Sequence, residues 1–129
     1  MMDAWRKLDA LVGKRVMGVE PTRVDGDMQV FTVWRQILMA GDYFITTDEG
    51  TEELPHYSTD IAAAWRVVEH MRAHYDRQLE ARPYSLKVSD GQYRVGIRDV
   101  HVELDYATAP TAPHAICLAA LKAVEARER

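Results

Sequence analysis

Between Tyr84 and Tyr106 apolar and polar residues change places at almost every step. A period of two belongs to strands buried on one face, and a helix cannot satisfy it. Asp90-Gly91 interrupts the alternation with the dipeptide most typical of a two-residue hairpin turn. Closed that way, Leu86 falls opposite Val95 and Val88 opposite Tyr93, while Lys87 falls opposite Arg94. A second reversal at Arg98-Asp99 brings Glu103 across from Arg94 and offsets the repulsion between Lys87 and Arg94. The chain is thereby committed to an antiparallel meander with one polar face. That face carries Ser85, Lys87, Ser89, Gln92, Arg94, Arg98, His101, Glu103 and Asp105.

Helical periodicity surrounds this meander. Trp5, Leu8, Val12 and Val16, flanked by Leu11, form an apolar stripe that predicts a helix over 3–17. Gly18 is placed to end it, and Pro21 prevents its resumption. A second helix starts at Ser58-Thr59-Asp60, all three able to cap, and is predicted to run to about Ala81 before Pro83. Its expected core stripe is Ile61, Ala64, Trp65, Val68, Met71, Tyr75 and Leu79. An alanine-rich third helix over 113–127 follows Thr108–Pro113, with Ile116, Cys117, Ala120, Leu121 and Val124 inward.

Upstream, Asp25-Gly26-Asp27 introduces a β-branched and aromatic run, 28–34, that continues to Met39 and returns through Ala40-Gly41-Asp42 as 43–47. A hairpin over 28–47 is expected, although 35–39 also reads as a helical turn. The run is apolar on both faces, Val30 and Trp34 on one, Phe31, Val33 and Ile37 on the other. Such a strand is covered on both sides, either within its own fold or by another chain. The second reading makes Phe31, Val33, Trp34, Ile37 and Phe44 a homo-oligomer interface, a dimer in its simplest form. The acidic stretch Asp48–Glu53 reads as a solvated loop, without the alternating ligand spacing of a calcium loop.

The whole is an α+β chain: a mainly antiparallel sheet of about five strands packed with three helices. At 129 residues, without repeats or a linker, it reads as one domain over 1–129. One cysteine excludes an internal disulfide and fits a reducing compartment. The N-terminus opens an amphipathic helix rather than an apolar signal core, and no apolar run is long enough to span a membrane. A cytoplasmic location is expected, with no membrane association. A net charge of −4 argues against a nucleic-acid partner gripped mainly through its phosphates.

Several residue groups invite chemistry. His70 and His74 are spaced to share a metal on a helix, yet lie opposite the apolar stripe, and no third ligand is placed near them. His114 and Cys117 resemble a thiolate–imidazole pair, but Cys117 shares the apolar stripe of its helix and reads as core. Tyr57, Ser58 and Thr59 stand where helix N–H groups attract an anion, a role that Asp60 opposes; helix capping is the simpler reading. Lys87, Arg94, Arg98, His101 and Glu103 share the polar meander face as candidate ligand-binding residues, against the alternative of a salt-bridged wet surface. There is no phosphate-cradling glycine loop, serine elbow or paired-cysteine zinc spacing. No cofactor, metal or catalytic residue is implied.

Three segments together resemble the phage ABA-sandwich domain, a family of small phage and prophage proteins. They are Leu8–Val12 continuing through Val16-Met17-Gly18, Tyr57–Trp65, and the closing helix Thr111–Ala123. They occur in the family's order and bracket nearly the whole chain, with the 28–47 hairpin as an addition between the first two, of which the resemblance says nothing. The resemblance implies helices on both faces of a sheet, an α/β/α sandwich, and transfers no activity. The expected function is therefore an accessory protein that binds a host protein or a small nucleotide-like ligand without catalysis. Two alternatives stand beside it: a small nucleotide-directed hydrolase or transferase using His101, Arg94 and Glu103, and a structural homo-oligomer.

Overall fold

The computed structural model describes residues 2–33, 36–74, 78–82, 92–98 and 103–128. It divides into two compact units, Met1–Pro55 and His56–Arg129.

The first unit opens with α1, Met2–Arg15. Its buried face is Arg6, Asp9, Val12 and Val16, while Trp5 and Leu11 are exposed. The helix is thus rotated away from the purely apolar stripe, because an ion pair occupies two core-facing positions. Gly18, at φ 74°, ends the helix as expected and turns the chain so that the Val19 N–H donates to the Gly13 carbonyl at 2.9 Å. Gly13 itself is a close approach: a Cβ there would stand 3.1 Å from Val19 Cγ2 and 3.2 Å from Leu54 Cδ1.

Three strands follow in spatial order β1 (Thr22–Arg23), β2 (Tyr43–Thr47), β3 (Gly50–Glu53), all antiparallel. Asp48–Glu53 is therefore not a loop. Asp48-Glu49 closes a two-residue hairpin with Thr47 opposite Gly50, and Gly50 takes φ 120°. The expected pairing of 28–34 with 43–47 does not form, since β1 and β3 take the two edges of β2. Residues 30–38 fold on themselves instead. Leu38 N–H donates to Val30 O at 3.2 Å, Thr32 N–H to Gln36 O at 3.0 Å, and Phe31 bridges Ile37. Val24, Val30 and Leu38 make a small core beneath this loop, with Phe44 packed against it.

The unit is tied together by Arg6, only 5% exposed. Its Nη1 donates to Asp9 Oδ2 at 2.7 Å and its Nη2 to Leu54 O at 2.8 Å. Nε reaches Asp42 Oδ1 at 2.8 Å, and that same oxygen accepts the Tyr43 N–H at 2.7 Å. One guanidinium so joins α1, the turn before β2 and the chain leaving β3.

The second unit comprises α2 (Ile61–His74), β4 (Gln78–Arg82), β5 (Tyr93–Arg98), β6 (Glu103–Ala109) and α3 (Ala112–Glu128). The strands form an antiparallel sheet in the order β4-β5-β6; α3 packs on all three, and α2 on α3 and β4. Asp60 caps α2, its Oδ1 accepting the Ala62 N–H at 3.0 Å. Thr111 caps α3, its Oγ1 accepting the His114 N–H at 3.4 Å. The buried face of α2 is Ala63, Ala64, Val67, Val68 and Met71, so Ile61 and Trp65, expected in the core, are exposed. On α3 Ala115, Ile116, Cys117, Ala119, Ala120, Leu121, Ala123 and Val124 are all buried. A helix apolar on several sides suits one covered by both a sheet and a second helix.

The helix expected to reach Ala81 ends at His74, and its last residues supply β4. Consequently β5 does not pair through Asp90-Gly91. Ala81 faces Val95 and Arg82 faces Arg94, in place of Leu86 and Lys87. On the other side Thr108 faces Arg94 and Glu103 faces Arg98, with an irregularity at Ile97/Arg98 that shifts the register. The stretch 83–91 lies outside the described residues.

Two outcomes test this description. Arg6→Ala leaves the fully buried Asp9 carboxylate without its cation and is expected to cost about 3 kcal/mol or more in urea unfolding. Burial holds the His114 imidazole below its ordinary 6.5, so the folded state favours the neutral ring. The unfolded chain then binds its proton first, and stability falls as pH drops below about 6.5, levelling once the folded value is passed. His114→Gln is expected to shrink the stability difference between pH 7.5 and pH 5, read from urea unfolding at both.

Candidate functional site

The loop over 30–38 is braced from beneath and bare on top. Val30 and Leu38 point into the small core, while Phe31 is 58%, Ile37 55% and Val33 49% exposed. Met28 and Met39 extend the apolar surface, Met39 being 77% exposed. Over 30–33 buried and exposed residues alternate, Val30 and Thr32 inward and Phe31 and Val33 outward, whereas Gln36 and Ile37 are both exposed before Leu38 turns inward. The Val33 N–H donates to Thr51 O at 2.9 Å, which fastens the tip of the loop to β3.

Of the five expected interface residues, Phe31, Val33 and Ile37 lie together on this exposed surface. Phe44 is half-buried against the Val24-Val30-Leu38 cluster, on the inner side of the loop. Trp34 lies outside the described residues. In the sequence on either side of this surface the charge is strongly one-sided. Between 22 and 53 the sequence holds seven carboxylates and two arginines, and Asp25, Asp27, Asp48 and Glu49 are exposed. Met28 and Met39 are neither aromatic nor β-branched, so a pattern built on those residue types does not single them out. Unbranched, polarisable methionines flanking exposed aromatics are a signal for an adaptable contact surface.

The polar-face candidates are only partly brought together. Arg94 is half-buried on β5. Arg98 and Glu103 occupy directly opposed register positions, four residues along from Arg94, or about 13 Å at strand rise. Glu103 thus stands across from Arg98 rather than Arg94. Lys87 and His101 lie outside the described residues. At the start of α2, Tyr57 and Ser58 are buried while Thr59 is exposed. The cap is Asp60, whose carboxylate takes up a helix N–H and places a negative charge where an anion would sit.

The His70 and His74 rings stack at 4.3 Å between centroids. Among the described residues no group of three His, Cys, Asp or Glu is arranged to hold a metal ion. Cys117 is buried in α3, as its place on the apolar stripe suggested. Among the described residues no helix is long and apolar enough to cross a membrane.

No curated protein and no solved structure matches the chain. The model of one family, the phage ABA sandwich domain, matches residues 10–121 and so runs through both units. With most of its length matched, three helices and antiparallel sheets in an α+β arrangement, the chain belongs to the phage ABA sandwich domain family.

Proposed function

We propose that this protein acts by binding another protein, through the apolar surface formed by Met28, Phe31, Val33, Ile37 and Met39. The observation that carries the reading is a loop that spends part of its own core, Val24, Val30 and Leu38, on presenting large apolar side chains to solvent. Apolar residues scattered singly on a surface need no explanation, but a braced group of five does.

Charge decides what kind of partner fits. In a two-fold symmetric dimer the same patch meets itself, so the carboxylates around one copy would face those of the other. A partner with an apolar recess and a basic rim avoids that repulsion and gains by association. The occupant proposed is accordingly a different protein of the cell in which this one acts, basic around the contact. Association would weaken as salt rises, because the rim charges are screened while the apolar contact is not.

The test pairs affinity capture from host-cell extract with the double variant Phe31→Asp/Ile37→Asp. A basic protein should be retained by the parent and lost with the variant. The purified pair should then bind less tightly as salt is raised, by isothermal titration calorimetry. Sedimentation of the purified protein alone is the counter-test. If it forms a dimer that the double variant abolishes, the surface serves a second copy and the proposed partner is wrong.

A further inference from the structure

The end of α2 carries a pair of imidazoles that belongs neither to the buried core nor to the apolar loop. His70 and His74 stand one helical turn apart. Their rings meet at 4.3 Å between centroids, with 35° between their planes. His70 is half-buried and His74 exposed. Val67 and Met71, three residues before each, are buried, so by helix spacing the pair borders the packed face of α2.

Two imidazoles four apart on a helix can reach a single ion. With metal–nitrogen bonds of about 2.0–2.1 Å, two rings bound in adjacent positions have centroids roughly 4.5–5 Å apart. The separation here is close to that, and rotation about the soft imidazole χ2 closes the difference. Each ring gives one nitrogen. His70 has a further interaction in the fold, which suits a ligand, because the other nitrogen of a ligating imidazole ordinarily engages a neighbour that orients the ring. The helix ends at His74, so the negative end of its dipole lies beside the pair and favours a cation. Arg66, one turn before His70, opposes a cation, but it is exposed and its charge is screened by water and salt. Arg72 falls on the opposite side of the helix from both rings.

We propose that His70 and His74 form a two-imidazole seat for a divalent late transition-metal ion, zinc in its simplest form. Imidazole nitrogen favours zinc, copper and nickel, whereas magnesium and calcium take oxygen donors. The remaining coordination positions open to water. Joining positions 70 and 74 through one ion closes the last turn of α2. The apolar periodicity of the sequence runs past this point towards Ala81, yet Gln78–Arg82 is β4. The ion therefore clamps the helix just before the chain changes from helix to strand.

The test titrates zinc chloride and nickel chloride into the full chain by isothermal titration calorimetry, with thermal unfolding alongside. Magnesium and calcium chloride serve as controls. Zinc and nickel should bind and raise the melting temperature, and the controls should do neither. His74→Gln changes an exposed position, so it should fold as the parent does. It should weaken zinc binding about tenfold or more, because the second ligand of a chelate acts at high effective concentration. His70→Gln should do the same. His56→Gln and His114→Gln should bind zinc like the parent, which separates the pair from histidines in general. In NMR spectra of the parent, zinc should shift the imidazole signals of His70 and His74, a response that a purely structural pair would not give. Binding of zinc and nickel no tighter than about 1 mM would overturn the proposal. So would unchanged zinc affinity in both His70→Gln and His74→Gln, an equal loss in His56→Gln, or an equal response to magnesium. Phe31→Asp/Ile37→Asp should bind zinc like the parent, so this site stands or falls apart from the protein contact.

Discussion

A guanidinium removed from water needs several acceptors at once, and the first unit is arranged around supplying them to Arg6. Two carboxylates and the backbone carbonyls of Leu54 and Pro55 converge on it from positions up to 49 residues away. Buried ion pairs seldom add much net stability, since desolvating the charges offsets most of the attraction. Their effect is on uniqueness. Alternative arrangements of α1, the turn at Asp42 and the end of β3 would leave a charge buried and unmatched. The loop over 30–38 depends on that fixed frame, because its small core is completed by Phe44, two residues after Asp42. A surface that exposes large apolar side chains has little to hold its own shape, so its rigidity has to come from beneath.

The sequence was informative wherever one periodicity ruled a segment. The closing helix, its buried cysteine, the first helix and its glycine stop were all legible, and so was the α+β class. Legibility failed where two local rules disagreed. Asp90-Gly91 is a strong turn signal, yet β5 pairs with 78–82, because register answers to which apolar row can be buried and not to the turn alone. Trp65 and Ile61 fit a helical stripe by spacing but sit outside it, since α2 is buried through its alanines and valines, small enough to let α3 approach closely. The Arg6–Asp9 pair could not be seen at all. Charged residues three apart on a helix ordinarily read as solvent-exposed, and only long-range acceptors reveal otherwise.

The candidate sites show the same division. Phe31, Val33 and Ile37 were recognisable because a strand apolar on both faces demands a second cover. Which face would be left open was not, as that depended on β1 and β3 occupying β2. On the other sheet the sequence suggests different register neighbours for Arg94 from those it has. The register replaces Lys87 with Arg82 and Glu103 with Thr108. Register positions thus change by five residues in one strand pair and by a comparable number in the other.

The distribution of charge ties these surfaces to a single physical theme. All of the net charge of −4 falls within residues 1–55, while residues 56–129 carry ten basic and ten acidic groups. Balanced charge normally resolves into neighbouring pairs, as Arg98 opposite Glu103 illustrates. The first unit is the acidic one, with Asp25, Asp27, Asp48 and Glu49 exposed in the sequence on either side of its apolar surface. Like charges held close together oppose folding wherever they occur, and a chain keeps them at low cost only where something of opposite charge arrives.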